Sequence, residues 1–462
     1  MKKILSDLII AIKGSEKEFT SGSINRAIFL LAIPMILEMV MESLFAVVDA
    51  FFVAKIGVNA IATVGMTESV ITLIYAIAIG LSMAGTAMIA RRIGEKKPEE
   101  AAVVAVQVFF IAVAVSAILG ILGFIYAKDI LKFMGGSPKL IEAGHQYTSI
   151  LYAGNISIML LFVFNGIFRG AGDASISMRA LWIANICNII LDPCLIFGWG
   201  SFPELGLTGA AVATTIGRGI GVLFQFYFLF NGNNIIRIAR RHLKVRMDII
   251  IRLLRISFGG ISQHIIASSS WIFMMRFVAY FGSEAVAGYT IAIRIIIFTI
   301  LPSWGMANAA ATLVGQNLGA GFPDRAEKSV WRTANFNMGF LMIISVLFYF
   351  LAPDLIAIFD SEHQKVIDEG AKSLRIICFG YLFFAHGMVI SSAFNGAGDT
   401  KTPTWINFIC FWMLQIPLAY LFAFTMGLES SGVYGAIAIS ESILALLAII
   451  IFRQGKWKSI KV

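Results

Sequence analysis

The sequence predicts an all-α integral membrane protein of twelve transmembrane helices, arranged as two six-helix lobes related by a parallel internal repeat. Three observations predict it. The 462 residues are 58% hydrophobic and only 14% charged, with a mean hydropathy of +0.85. A soluble protein carries roughly 25% charged residues, so a water-soluble enzyme is excluded. Continuous apolar runs of about the 20 residues that a bilayer requires fill the chain. Motifs of the first half return in the second at a nearly fixed offset.

The runs lie at about 26–54, 60–91, 100–126, 143–168, 178–198, 207–231, 249–281, 285–314, 327–351, 372–395, 403–425 and 433–453. They are read as helices, because hydrocarbon offers no partner to an unpaired backbone group and a barrel would show short alternating segments. The expected organisation is a leader (1–22), an N-lobe (23–231), a basic linker (232–247), a C-lobe (248–453) and a tail (454–462). The leader has an apolar patch at Leu8–Ile12 but no small-residue cleavage site, so no removed signal peptide is expected.

Charge sets the orientation. The N-terminal segment, the even-to-odd loops and the tail hold 26 of the 36 Lys and Arg. The positive-inside rule then places both termini in the cytoplasm of a cell whose inner or plasma membrane holds the protein. The densest basic run, Arg237–Arg255, is read as a topological anchor for anionic headgroups rather than a nucleic-acid site. Cys187, Cys194, Cys378 and Cys410 all lie in apolar runs and show no metal or disulfide spacing.

The repeat is read residue by residue. "FRGAGD" (168–173) returns as "FNGAGD" (394–399) and "GLTGAA" (206–211) as "GVYGAI" (432–437), both at an offset of 226. "KIGVNAIA" (55–62) matches "YFGSEAVA" (280–287), and "IGEKKPEEA" (93–101) matches "LGAGFPDRA" (318–326), both at 225; Gly80 pairs with Gly305. An even number of spans before the repeat makes the halves parallel, as in many secondary transporters with a path between the halves.

Ionisable residues within spans are costly and are functional candidates by default. In the first span Glu38, Glu42 and Asp49 fall within about 40° of one another on a helical wheel, so they share a face. That face is expected to look into the bundle or a cavity, with Glu38, near the cytoplasmic end, open to an interfacial reading. In the fifth span Asn185, Asn188 and Asp192 form a second polar stripe, followed by Pro193. Carboxylate and amide oxygens of this kind suit Na⁺, or tune a carboxylate for proton exchange; interhelical hydrogen bonding is the bland alternative. The repeat maps these residues onto Gln263, Ala267, Met274, Phe411, Leu414 and Leu418, so every acid is lost from the second copy. Coupling chemistry is therefore expected in the N-lobe alone. Weaker candidates are Glu68, Arg218, Arg276, Arg294 and Glu441, which could pair across helices, and His264 and His386, which titrate near neutrality.

Over residues 23–453 the sequence resembles the multidrug and toxin extrusion (MATE) transporters. The likeness rests on "AIPMILEMVMESLFAVVDAFFV", "ARRIGEKKPEEA", "FRGAGD", "NIILDP" and "GLTGAAVAT". It implies two V-shaped six-helix lobes that export organic cations in exchange for H⁺ or Na⁺. By motif position, Asp49 and Asp192 resemble the family's first- and fifth-span aspartates, with Asn188 and Thr214 completing the cation site; Glu42, Glu38, Asn185 and Glu68 are secondary. Ala267 and His386 stand where another branch carries second-lobe acids, which points to the DinF-like branch; His264, His386 and Gln263 remain the C-lobe candidates. The expectation is a non-enzymatic, monomeric antiporter by alternating access, with small cationic or amphipathic substrates, a lipid bilayer, no nucleic acid and no cofactor beyond the coupling ion. The alternative is a flippase of the same superfamily for lipid-linked sugars, which would line its path with cations for pyrophosphate.

Overall fold

A computed structural model describes residues 2–14, 19–231 and 234–462. Among the described residues, eleven helices are long and apolar enough to cross a membrane, and one bent pair makes a twelfth. The first six are Ile24–Ala54, Val58–Gly94, Pro98–Ile125, the consecutive helices Pro138–Ala153 and Asn155–Gly170, Ala174–Phe197 and Leu207–Asn231. The second six are Met247–Ala279, Ser283–Gly319, Pro323–Ala357, the pair Gln364–Cys378 and Tyr381–Ala397, Lys401–Thr425 and Glu429–Arg453.

The repeat extends to the breaks. The fourth span is interrupted at Gly154 and the tenth at its equivalent, Gly380, where the two halves bend by 59°. The copies diverge at their fifth helices. Ala174–Phe197 stays α-helical through Pro193, whereas its counterpart is wound as a π-helix over Phe408–Gln415, just before Pro417. A proline nitrogen donates no hydrogen bond, and local π winding is one way to absorb the loss.

Each lobe has its own apolar core. One is centred on Leu81, Met159, Phe164 and Phe168, the other on Met274, Tyr289, Leu374 and Tyr434. The lobes meet through the first, second, seventh and eighth spans, and small residues make the meeting possible. A Cβ on Gly80 would lie 2.6 Å from the Ile261 side chain, and one on Gly305 would lie 2.7 Å from the Ile36 backbone nitrogen. Ile36 and Ile261 are repeat equivalents, so this is one contact made twice about a pseudo-dyad. The same holds at the helix ends, where Gly94 abuts the Gln316 carbonyl and Gly319 abuts the Arg91 carbonyl.

These contacts lie toward the end of the molecule that carries both termini. There Arg91 donates to the Ile460 carbonyl at 2.6 Å, and Arg325 donates to the carbonyls of Ser21 (2.7 Å) and Gly22 (2.9 Å). Thr312 and Gln316 reach across to the carbonyls of Arg169 and Gly170. Two to three turns toward the far end, the same helix faces are exposed. Val47 and Ile272, eleven residues from Ile36 and Ile261, are 58% and 70% accessible. Leu73 and Phe298, seven residues from Gly80 and Gly305, are 54% and 50% accessible. Separations of seven and eleven residues return to the same helix face, and the four side chains form two repeat-equivalent pairs. The lobes therefore close at the terminus-bearing end and part at the far end, leaving a cleft with apolar walls.

Ahead of the first span, Lys2–Lys13 forms a short helix whose Ala11 is buried in a small core with Leu30, Leu31 and Met35. The leader expected from sequence is thus partly folded onto the first span.

Candidate functional site

The acidic face of the first span looks away from the cleft. Taking Ile36 as the cleft-side reference, Glu38, Glu42 and Asp49 lie about 200°, 240° and 220° around the helix, toward the interior of the N-lobe. Each of the three acids has a different environment.

Glu38 is 1% exposed, which overturns the interfacial reading. Its Oε1 accepts from Asn165 Nδ2 at 2.9 Å and from Arg169 Nη1 at 3.2 Å. Arg169 also donates to Ser82, and Gln225 donates to Asn165 Oδ1 at 2.6 Å. The repeat-equivalent pair in the C-lobe is Gln263 and Asn395, which exchange two hydrogen bonds of 3.1 Å. Gln263 also donates to the Thr400 carbonyl. The Glu38 contact thus does persist in the second copy, made neutral by changing both partners. Gln263, one of the C-lobe candidates, is the counterpart of a helix-joining group.

This network passed unnoticed in the sequence, where Arg169 reads as a loop charge at the end of the fourth span. The available signal was the one-letter difference between "FRGAGD" and "FNGAGD". Glu38→Gln alone should strand a buried guanidinium and lower stability by about 3–5 kcal/mol. Adding Arg169→Asn should recover most of the loss by installing the C-lobe pair, as read by thermal unfolding in detergent.

Glu42 pairs with Arg218 of the sixth span, Oε1 to Nη2 at 3.3 Å. The Arg218 guanidinium lies 5.0 Å from the Phe45 ring centroid and 5.9 Å from that of Tyr75. Asp49 is half-buried, within electrostatic reach of both Arg218 and Asp192.

Asp192, Asn188 and Thr214 come together. Asn188 Nδ2 donates to Asp192 Oδ1 at 3.2 Å and to Thr214 Oγ1 at 3.3 Å. Glycines of the sixth span allow this approach. Gly209 packs on the Leu195 carbonyl, while a Cβ on Gly217 would sit 2.6 Å from the Ala184 oxygen and 3.1 Å from Asn188 Cβ. Small residues of this kind let membrane helices draw close. Asp192 Oδ2 and Asn188 Oδ1 are buried and make no hydrogen bond among the described residues. Two unsatisfied hard oxygens beside a hydroxyl form a donor set suited to Na⁺ or to a proton held on the carboxylate. Asp49 stands near this set without a direct hydrogen bond to it. Among the described residues, no group of three or more His, Cys, Asp or Glu is placed to hold a metal, so a cation here would rely on amide and hydroxyl oxygens as well.

The remaining candidates are dispersed. Asn185 is buried and donates to the Met41 carbonyl at 3.1 Å, tying the fifth span to the first. Glu68 is exposed, within electrostatic reach of Asp49. His386 is hydrogen-bonded to Asn335 Oδ1 at 3.3 Å, and His264 makes no hydrogen bond among the described residues. Glu441 keeps a buried oxygen that makes no hydrogen bond among the described residues.

Two parallel six-helix lobes about a pseudo-dyad define a polytopic membrane protein built like a secondary transporter. The MatE family profile matches residues 34–194 and again 261–421. The chain belongs to the MatE family of transporters. It is 27% identical over 444 residues to the probable multidrug resistance protein YoeA of Bacillus subtilis, covering 94% of this chain and 95% of that one. It is 27% identical over 446 residues to the probable multidrug resistance protein NorM of Thermotoga maritima, covering 94% and 93%. A solved structure described as the outward-facing conformation of a multidrug resistance MATE family transporter superimposes with a TM-score of 0.89 at 27% identity, covering 95% of this chain and 97% of that one.

Proposed function

We propose that this protein is a secondary active antiporter that exports cationic or amphipathic drugs in exchange for H⁺ or Na⁺, as a monomer in the cytoplasmic membrane with both termini inside. The names of its relatives support drug export, and the distribution of Lys and Arg supports the orientation. In that orientation the closed end is cytoplasmic and the cleft opens outward.

The observation that carries the coupling is the two-sidedness of the first span. One face lines the cleft through Val47, and the opposite face carries Glu42 and Asp49 toward Asp192, Asn188 and Thr214. A cation or proton arriving at the N-lobe site alters the charge behind this helix, while substrate occupies the space before it. Ion and substrate then bias the two states of one wall in different ways, which is what exchange requires. Pro34, within the first span, removes one backbone hydrogen bond and gives the helix a place to bend.

The lipid-linked sugar alternative calls for several cations along the path. The described cleft faces bring a single arginine to mid-depth. Ethidium efflux from proteoliposomes under separately imposed pH and Na⁺ gradients tests the proposal. Efflux should follow one gradient and vanish without it, and gradient-independent leak would refute antiport. Asp49→Asn should reduce gradient-driven efflux about tenfold or more, through loss of charge beside Asp192, with the protein remaining folded.

A further inference from the structure

Arg294 is the one charged residue between Glu284 and Asp324 in the long eighth span. It lies eleven residues from the start of that helix, about 16 Å along its axis, and so within the hydrocarbon layer. It is exposed, and it forms no hydrogen bond or ion pair among the described residues. Two arginines buried within the spans differ from it: Arg169 is paired with Glu38 and Arg218 with Glu42.

The direction in which Arg294 points follows from the packing. It is eleven residues from Gly305, which abuts Ile36 of the first span, so it shares the cleft-side face with Phe298. The core-facing residues Ala292 and Ile296 lie on the other side of the helix. Its repeat equivalent is Ser69, which stands at matching depth across the pseudo-dyad. A guanidinium left in lipid at this depth is expensive; in the cleft it is a fixed cation one turn from Phe298 on the same wall. Arg276, exposed near the far end of the seventh span, adds a second positive charge at the rim. The acids of the first span lie behind that helix and are not presented to Arg294.

We propose that Arg294 is the anion-recognising residue of the cleft, receiving a carboxylate or phosphate group of an amphipathic ligand whose apolar body rests on the four dyad-related side chains. This rests on the export reading above and deepens it, because it extends the substrates to zwitterions bearing one anionic group. The same chemistry is offered by a soluble substrate and by the phosphate of an anionic lipid. A planar guanidinium suits either, since its parallel N–H groups match two oxygens.

The test uses two dyes that differ by one methyl group: rhodamine 123, a cationic methyl ester, and rhodamine 110, the free carboxylic acid. Binding is measured by fluorescence anisotropy in phosphatidylcholine nanodiscs, and efflux in proteoliposomes, for the intact protein and for Arg294→Gln and Arg294→Lys. Arg294→Gln should weaken binding of the acid about 10- to 100-fold, the effect of losing a charge-assisted hydrogen bond, and leave the ester unchanged. Arg294→Lys should fall between. Equal losses for both dyes, or no change for either, would overturn the assignment. If the unaltered protein carries neither dye, it is the export reading that fails. Phosphatidylglycerol in the nanodiscs distinguishes the sources. Competition with the acid that disappears in Arg294→Gln identifies a lipid phosphate as an occupant, and discrimination between the dyes without such competition identifies a soluble substrate.

Discussion

Asp192→Asn is expected to abolish ion-driven export while leaving the fold intact. The side chain is fully buried, with Oδ1 accepting from Asn188 and Oδ2 free of any hydrogen bond among the described residues. An asparagine fits the same space and can keep one bond to Asn188. It removes the single formal charge next to the Asn188 and Thr214 oxygens, and it brings an amide N–H₂ that cannot ligate a cation. Loss of a buried charged partner costs about 2–5 kcal/mol, and each 1.4 kcal/mol is a factor of ten. Coupled efflux should therefore drop by between one and a half and three and a half decades, to background. Thermal stability in the absence of a gradient should not fall, because a buried carboxylate with one empty oxygen is replaced by a neutral group. Wild-type efflux from this variant would remove Asp192 from the mechanism. Thr214→Val, which deletes one oxygen of the donor set and keeps the shape, should give a smaller loss of the same kind. If it instead unfolds the protein, the Asn188–Thr214 contact is structural.

Much of this was legible in the chain because the relevant signals are local or periodic. Twelve apolar runs follow from bilayer thickness, and the offset of 225 to 226 follows from counting. Asn188 and Asp192, one turn apart, share a face whatever the neighbours do, and the sixth-span threonine joined them through the motif. The partners of the first-span acids were another matter. The rotation that brings Asn165 and Arg169 to Glu38 depends on packing such as that of Gly166 and Gly170 against the backbone of Ser82 and Thr86, and periodicity alone carries no such angle. Arg169 was accordingly read as a loop charge. The comparison of copies also misled in one respect. Absence of an acid from the second lobe points to a coupling role rather than a structural one, yet Gln263 and Asn395 preserve the geometry of Glu38 and Arg169 with different chemistry. The inference that an ion site is needed once fits Asp49 and Asp192, whose counterparts Met274 and Leu418 are apolar. It does not extend to Glu38.

Replacing both dyad glycines, Gly94→Ala with Gly319→Ala, should shift the protein away from the closed arrangement at its terminus-bearing end. Each added methyl would overlap a carbonyl oxygen of the opposite lobe, that of Gln316 in one case and of Arg91 in the other. These oxygens are backbone atoms within helices, so they cannot swing aside as a flexible side chain would. Each glycine otherwise lies in an ordinary helix, so alanine is compatible with the fold of its own lobe. The strain is thus specific to the state in which the lobes touch. Overpacking of this sort costs about 1–3 kcal/mol, and a bias of that size between two states is roughly a 5- to 150-fold change in their ratio. Spin labels at Lys97→Cys and Phe322→Cys, repeat-equivalent exposed positions at this end, would report the change as a longer interlabel distance in a background without the four native cysteines. Gly65→Ala is the control, since nothing lies within 4 Å of its added Cβ, and its distances should match those of the parent. A folded double variant with unchanged distances would mean that the glycine contacts do not hold the lobes together. A lengthened distance with retained ethidium binding would place the hinge of the transport cycle between the lobes, with the two glycine-to-carbonyl contacts as the seal that opens.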